Sequence, residues 1–243
     1  MPNLNNFFDI FDICAISNPD EINAALQLGA DVNARDNRQR TPLIYAVREN
    51  PNPETIALLL DAGADINAKD KDGYTALMFA VTDNSKSEIT SLLIQRGTDI
   101  NTRDEDGWTP LLWAVRNNPD SKIASLLIQH GADVNTKDKF GYTSLMSAAG
   151  WNPNTEVLSF LLKSGANINA KDTYGQTALM SAALWNPNPK ITDILLDHNA
   201  DVTVRDYKKK RAIDHAKKNP NLKGTKTFTR LQIASRSPSV VER

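Results

Sequence analysis

Three histidines, one cysteine and 29 carboxylates are what this chain offers for acid–base, nucleophilic or metal chemistry, and their spacing assembles none of it. His130 and His198 occupy equivalent places just before the ends of predicted helices, where a cation favours the helix dipole, and His215 falls in the last unit of the chain. Cys14 sits in the apolar run Phe7-Phe8-Asp9-Ile10-Phe11-Asp12-Ile13 with no Lys, Arg or His beside it to lower its pKa, so a buried structural thiol is expected. No metal-ligand spacing appears, and no nucleophile has a base nearby. The carboxylates recur at a fixed interval of 34 residues, which assigns them to turns. The expectation is no catalytic site, no metal and no cofactor: the chain reads as a binding protein, not an enzyme.

Aromatic side chains fit recognition better, because Tyr and Trp bury large area with few rotors and keep a polar handle. Tyr74, Trp108 and Tyr142 are spaced by 34, in one column with Arg40, Gln176 and Lys210. What must position them is a repeat. Thr41, Thr75, Thr109, Thr143 and Thr177 keep that spacing, and so do Gly29, Gly63, Gly97, Gly131 and Gly165. A period between 20 and 50 residues marks an array whose units bury their apolar faces only against neighbours.

Within each unit the chemistry of single positions predicts the elements. Gly73, Gly107, Gly141 and Gly175 open a unit with a tight turn. The threonines follow as helix N-caps, with Pro42 and Pro110 at the first helical position. A short first helix then presents Leu43/Ala46 and its equivalents at 77/80, 111/114, 145/148 and 179/182. Asn52, Asp120, Asn154 and Asn188 cap a second helix, whose buried stripe is predicted through Ile123, Leu126 and Leu127 in one unit and Val157, Phe160 and Leu161 in the next. The glycine series from Gly63 to Gly165 ends these helices, and Asn199 replaces it in the sixth unit. Nine of the 11 glycines are thereby consumed, so no glycine-rich phosphate cradle can be built.

The ends depart from the pattern as caps should. Phe7 stands where a capping Thr is expected, Arg211 does so in the last unit, Lys209 replaces the turn glycine, and a polar second helix is predicted around Leu222 to Leu231. The formal charge of −1 hides a polarity: from Arg205 onward 12 Lys or Arg face three acids. Lys208-Lys209-Lys210-Arg211 could steer a nucleic acid or an acidic partner, but with only Tyr207 interleaved a solvated end is the favoured reading. A lone cysteine, the lack of a readable secretory signal and the absence of a long apolar run lead to the expectation of a cytoplasmic, non-membrane monomer.

Thr-Pro-Leu-Ile-Tyr-Ala at 41–46, Thr-Pro-Leu-Leu-Trp-Ala at 109–114, Gly-Ala-Asp-Ile-Asn at 63–67, Gly-Ala-Asp-Val-Asn at 131–135 and the Asp-x-x-Gly-x-Thr runs from Asp70, Asp104, Asp138 and Asp172 resemble ankyrin repeats. Tetratricopeptide repeats share the 34-residue period but lack the turn glycine and the Gly-Ala-Asp entry. Two features depart from the family pattern. The usual period is one residue shorter, the extra residue here falling in Asn50-Pro51-Asn52-Pro53 and Asn186-Pro187-Asn188-Pro189, and the usual histidine after Thr-Pro-Leu is replaced by Ile44, Met78, Leu112, Met146 and Met180.

The resemblance implies an all-α solenoid of helix-turn-helix units joined by short β-hairpin loops, with hairpin tips and first helices lining a concave face that binds other proteins. The array is expected over 7–233, in units near 7–40, 41–74, 75–108, 109–142, 143–176, 177–210 and 211–233, flanked by tails 1–6 and 234–243. The residue before each capping Thr would project from a tip toward the groove. Tyr74, Trp108 and Tyr142 are thus expected to form the contact strip for a partner of basic or mixed character, with Asp72, Glu105 and Asp106 adding acid; the competing reading is that they only stack and stiffen the hairpins. Trp151 and Trp185 either extend the strip or pack over the proline turn, the second being favoured. Tyr45, Phe79 and Trp113 are expected to be core.

Overall fold

A computed structural model describes residues 10–16, 18–82, 86–118 and 120–236. Phe7 and both terminal tails, apart from 234–236, lie outside the described residues. The chain groups into two bodies, one ending at Glu105 and one beginning at Asp106. The first holds helices α1 (Ile10–Ile16), α2 (Pro19–Gln27), α3 (Pro42–Glu49), α4 (Pro53–Asp61), α5 (Ala76–Ala80) and α6 (Ser87–Gln95). The second holds α7 (Pro110–Asn117), α8 (Ser121–Gln129), α9 (Ser144–Trp151), α10 (Thr155–Lys163), α11 (Ala178–Trp185), α12 (Pro189–Asp197), α13 (Ala212–Ala216) and α14 (Lys226–Ala234). Within each body first helices pack on first helices and second on second, in chain order. The architecture is all-α, as expected. Among the described residues the tips form turns without strands, with one isolated antiparallel bridge between Lys137 and Thr143.

Local chemistry starts and stops the helices. The five threonine hydroxyls accept from the backbone N–H three residues on, at 3.3 to 3.4 Å, each cap contributing about 1 kcal/mol. Asn52, Asp120, Asn154 and Asn188 cap the second helices through N–H groups two residues on. At the C-terminal end of α12, Asn199 takes φ 60, the left-handed conformation that glycine supplies elsewhere. α13 lacks a side-chain cap from Arg211, and the Asp214 carboxylate instead accepts the Arg211 N–H at 3.1 Å. The last helix starts later than expected, at Lys226 behind the Thr225 cap, although Leu222 and Leu231 are both buried.

The predicted first-helix stripe is the core: Leu43, Leu77, Leu111, Leu145 and Leu179 are all buried, with their alanines. Cys14 is fully buried too, and burial pushes its thiol up to about 12. The second-helix stripe requires correction. Ile123, Ala124 and Leu127 are buried, as are Val157, Leu158 and Leu161, whereas Leu126 and Phe160 are only half-buried. Each second helix is covered from two sides, by its own first helix and by neighbouring second helices, so positions i, i+1 and i+4 point inward. Leu126 and Phe160 fall on the rim of that arc. They line a shallow groove of about 520 Å³ over α8 and α10.

Directional bonds fix how one pair sits on the next. In the inter-helix turns of the second body, the buried Asn152 amide donates to Val115 O at 2.9 Å and Asn118 O at 3.1 Å. Asn186 does the same to Ala149 O and Asn152 O, both at 2.9 Å, and Asn219 reaches Asn186 O at 3.0 Å. Their carbonyl oxygens turn back to accept Asn154 N, Asn188 N and Asn221 N. A second ladder uses the Asn of Gly-Ala-Asp-Val-Asn. Asn135 donates to Gly165 O at 3.0 Å and accepts from Asn167 N at 2.8 Å, as Asn33 does with Gly63 O and Asp65 N in the first body.

Truncating Leu127 to Ala should cost about 2–5 kcal/mol in chemical denaturation, while Leu126→Ala, on the rim, should cost clearly less; equal losses would overturn the arc assigned to α8. Asn186→Ala should destabilise by about 1–3 kcal/mol for each buried carbonyl left unpaired, with hydrogen exchange rising in α9 and α11 together. A neutral result would show that water replaces the amide.

Candidate protein-binding face

Each tip is built on one aspartate. Asp70 Oδ1 accepts from Asp72 N at 3.0 Å and Tyr74 N at 2.8 Å, while its own N–H donates to Tyr74 O. Asp36, Asp138, Asp172 and Asp206 repeat the arrangement. The turn needs one left-handed residue, and space decides who can fill it: a Cβ on Gly73 would lie 2.7 Å from Glu105 N. Gln39 and Lys209 take the same slot at φ 60. Successive tips are joined by single backbone bonds, from Lys71 N to Arg38 O and Glu105 N to Asp72 O in the first body, and from Lys139 N to Asp106 O, Thr173 N to Phe140 O and Tyr207 N to Tyr174 O in the second.

On this frame the aromatic side chains come to the surface. In the first body Tyr45, expected in the core, is half-buried; its hydroxyl donates to Asp36 at 2.9 Å and Arg40 lies 4.6 Å over its ring. Phe79, also expected in the core, is half-buried against Tyr74, ring centroids 5.5 Å apart, with Arg48 5.0 Å over it. The reason is positional: four residues after the cap, a side chain on the first helix faces the tip in front of it and not the second helix behind. Asp72 is exposed and pairs with Arg38 at 3.3 Å; Glu105 is exposed.

The second body carries the densest cluster. Trp108 packs on Trp113 at 4.8 Å, and Trp113 is again half-buried instead of core. Arg116, exposed in the last turn of α7, sits 5.3 Å over Trp108 and 5.1 Å over Trp151. Trp151 stacks on Trp185 at 5.5 Å and 17°, and the two are 43% and 53% exposed. Trp151 and Trp185 are thus stacked on each other and partly open to solvent. Tyr142 behaves differently: its hydroxyl bonds Met146 O at 3.2 Å, and burial pushes its phenol above the ordinary tyrosine value. It supports the strip more than it presents itself. Asp106, Trp108, Trp113, Arg116, Asp138 and Phe140 line a hollow of about 380 Å³.

Sequence reasoning missed Phe140 and Tyr174, exposed at the tips by 54% and 59%. The signal was present: the slot before the turn glycine is Asp at 72 and 106 but aromatic at 140 and 174. The basic cluster divides. Lys208 and Lys209 are exposed, but Arg211 donates to Ser235 O, Arg205 to Lys209 O, and Arg230 pairs with Asp193 and Asp197. The ring Nδ1 atoms of His130 and His198 lie 2.9 and 2.8 Å from the Leu126 and Ile194 carbonyls of their own last turns, and His215 is buried against Asp206 at 2.9 Å. Among the described residues no His, Cys, Asp and Glu grouping could hold a metal ion, and no helix is long and apolar enough to cross a membrane.

A family model described as ankyrin repeats matches the chain in three copies, over residues 11–70, 50–138 and 120–206. No curated protein matches it.

The tip carboxylates make stability depend on pH. Burial raises Asp206, but the N–H of Lys210, the His215 ring and the N–H of Lys208 outweigh it and hold the carboxyl below its ordinary 3.8. Asp36 is held low in the same way, burial being outweighed by Arg40, Tyr45 and Arg38. Asp172 goes the other way, raised by burial and by the neighbouring charges of Asp138 and Asp206. A depressed carboxyl contributes its full stability above 3.8 and loses it as pH falls toward the lower folded value. The melting temperature should therefore drop between pH 5 and pH 2, and Asp206→Asn should shrink that drop; an unchanged acid limb would show that the low pKa of Asp206 contributes nothing.

Proposed function

The chain belongs to the ankyrin-repeat family, whose members generally serve as protein–protein interaction modules, and on that footing we propose that it binds a partner protein through the face formed by its hairpin tips and first helices. Its role in this reading is that of an adaptor, inhibitor or regulatory partner without chemistry of its own, acting as a monomer in the cytoplasm. The repeat domain is taken to run over 7–233. The observation that carries the reading is the aromatic and arginine run from Trp113 through Trp108, Arg116 and Trp151 to Trp185, part of it openly exposed. Partly desolvated indoles and arginine are what binding hot spots are made of. In a soluble body so many exposed rings are costly unless something covers them.

Support for the alternative, nucleic-acid or acidic-partner binding by the basic end, is weaker: Arg205, Arg211 and Arg230 are engaged with the protein's own carbonyls and carboxylates. The exposed Lys208 and Lys209 have Tyr207 alone as an adjacent aromatic on which a base could stack.

Replacing Trp108, Trp151 and Trp185 together with Ser should leave helical circular dichroism intact and weaken partner binding by at least about 30-fold, the loss of one hot spot. The measurement is affinity capture from the native host by wild type and variant side by side. Capture that survives the triple change, or that falls instead with Lys208→Glu and Lys209→Glu, moves the site off this face.

A further inference from the structure

Arg116 stands apart among the arginines. Arg38, Arg40, Arg48, Arg96 and Arg230 each pair with a carboxylate. Arg116 is exposed, and its side chain meets the rings of Trp108 and Trp151 without a hydrogen bond or ion pair to any described residue. Two indoles lie within cation–π reach of the guanidinium and leave its N–H groups without an acceptor. A fork held against rings has less rotamer freedom to lose when a ligand arrives, and the acceptor it matches is a carboxylate taken bidentately. The equivalent Arg48 lies over Phe79 in the same fashion, but there Glu49 stands 3.6 Å away and supplies the acid. At position 117 the corresponding residue is Asn, which removes that internal partner.

The surroundings add direction. On the tip side the hollow is lined by Asp106 and Asp138, and the Asp138 carboxylate is committed to the Phe140 and Tyr142 N–H groups. An incoming acid is thus drawn to the helix side and repelled from the tip side. Trp151 and Trp185 offer stacked, half-open rings beyond the arginine, and Phe140 and Trp113 offer apolar surface on its other side.

We infer that Arg116 determines specificity on this face by donating two hydrogen bonds to the carboxylate of an Asp or Glu in a partner peptide segment whose flanking apolar side chains lie on Trp151 and Trp185. The inference rests on the binding face proposed above. It narrows the partner to a segment carrying an acid between apolar residues, and the acids lining the hollow disfavour a carboxylate placed on the tip side.

The test is a random peptide library displayed on phage and selected on the full chain, followed by synthetic peptides in matched pairs, acid against amide. Enrichment of Asp or Glu between apolar residues is expected. Arg116→Gln should weaken the acidic peptide by about tenfold or more and leave its amide twin nearly unchanged, and Arg116→Lys should restore only part, since a point charge replaces a fork. Peptides that need the tryptophans yet show no acid, or bind equally well to Arg116→Gln, overturn the role of Arg116 and leave the face standing. Selection of only peptides indifferent to Trp108, Trp151 and Trp185 removes the face, and the carboxylate site with it.

Discussion

The buried carbonyls of the inter-helix turns in the second body are satisfied only by the next unit, and the alignment of the units there follows from that. The turn between first and second helix turns the carbonyls of Val115 and Asn118 inward, and the donor that reaches both belongs to Asn152 in the next unit. The same relation links Ala149 and Asn152 to Asn186. A buried carbonyl without a donor is expensive, so a unit placed out of register by one residue would forfeit these bonds along with those of Asn135 and of the tips. Apolar burial supplies most of the attraction between helix pairs but is non-directional. The amide ladders convert it into one alignment.

Once backbone and small side chains are committed to alignment, the remaining slots are free to vary. They are the residue before each capping Thr, the residue four after it, the end of the first helix and the crest of the tip. All four open on one side. In the second body they hold Trp108, Trp113, Arg116, Trp151 and Phe140, and in the first Tyr74, Phe79 and Arg48. Arg48 with its Glu49 and Arg116 with Asn117 show that a free slot can lose its internal charge partner while the helix beneath it is kept.

The tips carry a tension between geometry and charge. Each needs an aspartate to gather the N–H groups of its own turn, so stacking units stacks carboxylates. Asp172, between Asp138 and Asp206, feels both neighbours and burial, and its carboxyl is pushed up. At the end of the column Asp206 has His215 as a partner and only one such neighbour, and it is held low. The lysines that follow it, Lys208 to Lys210, put positive charge where the row of acids stops.

Much of this was legible in the sequence. Threonine caps, prolines at helix starts, left-handed glycines and the Asn199 substitution depend on chemistry within three or four residues, and local composition therefore reveals them. The 34-residue period gave the repeat and the column holding Tyr74, Trp108 and Tyr142, and the ankyrin resemblance the all-α architecture. Tertiary structure alone decided which arc of a second helix is covered, so that Leu158 is buried and Phe160 is not. It also left Tyr45, Phe79 and Trp113 half-buried, turned Tyr142 inward, gave the turn asparagines their carbonyls 33 to 37 residues away and set Arg116 over two indoles. Those outcomes depend on which groups meet across the seam between units, and contact across that seam is a property of packing that no short stretch of chain encodes.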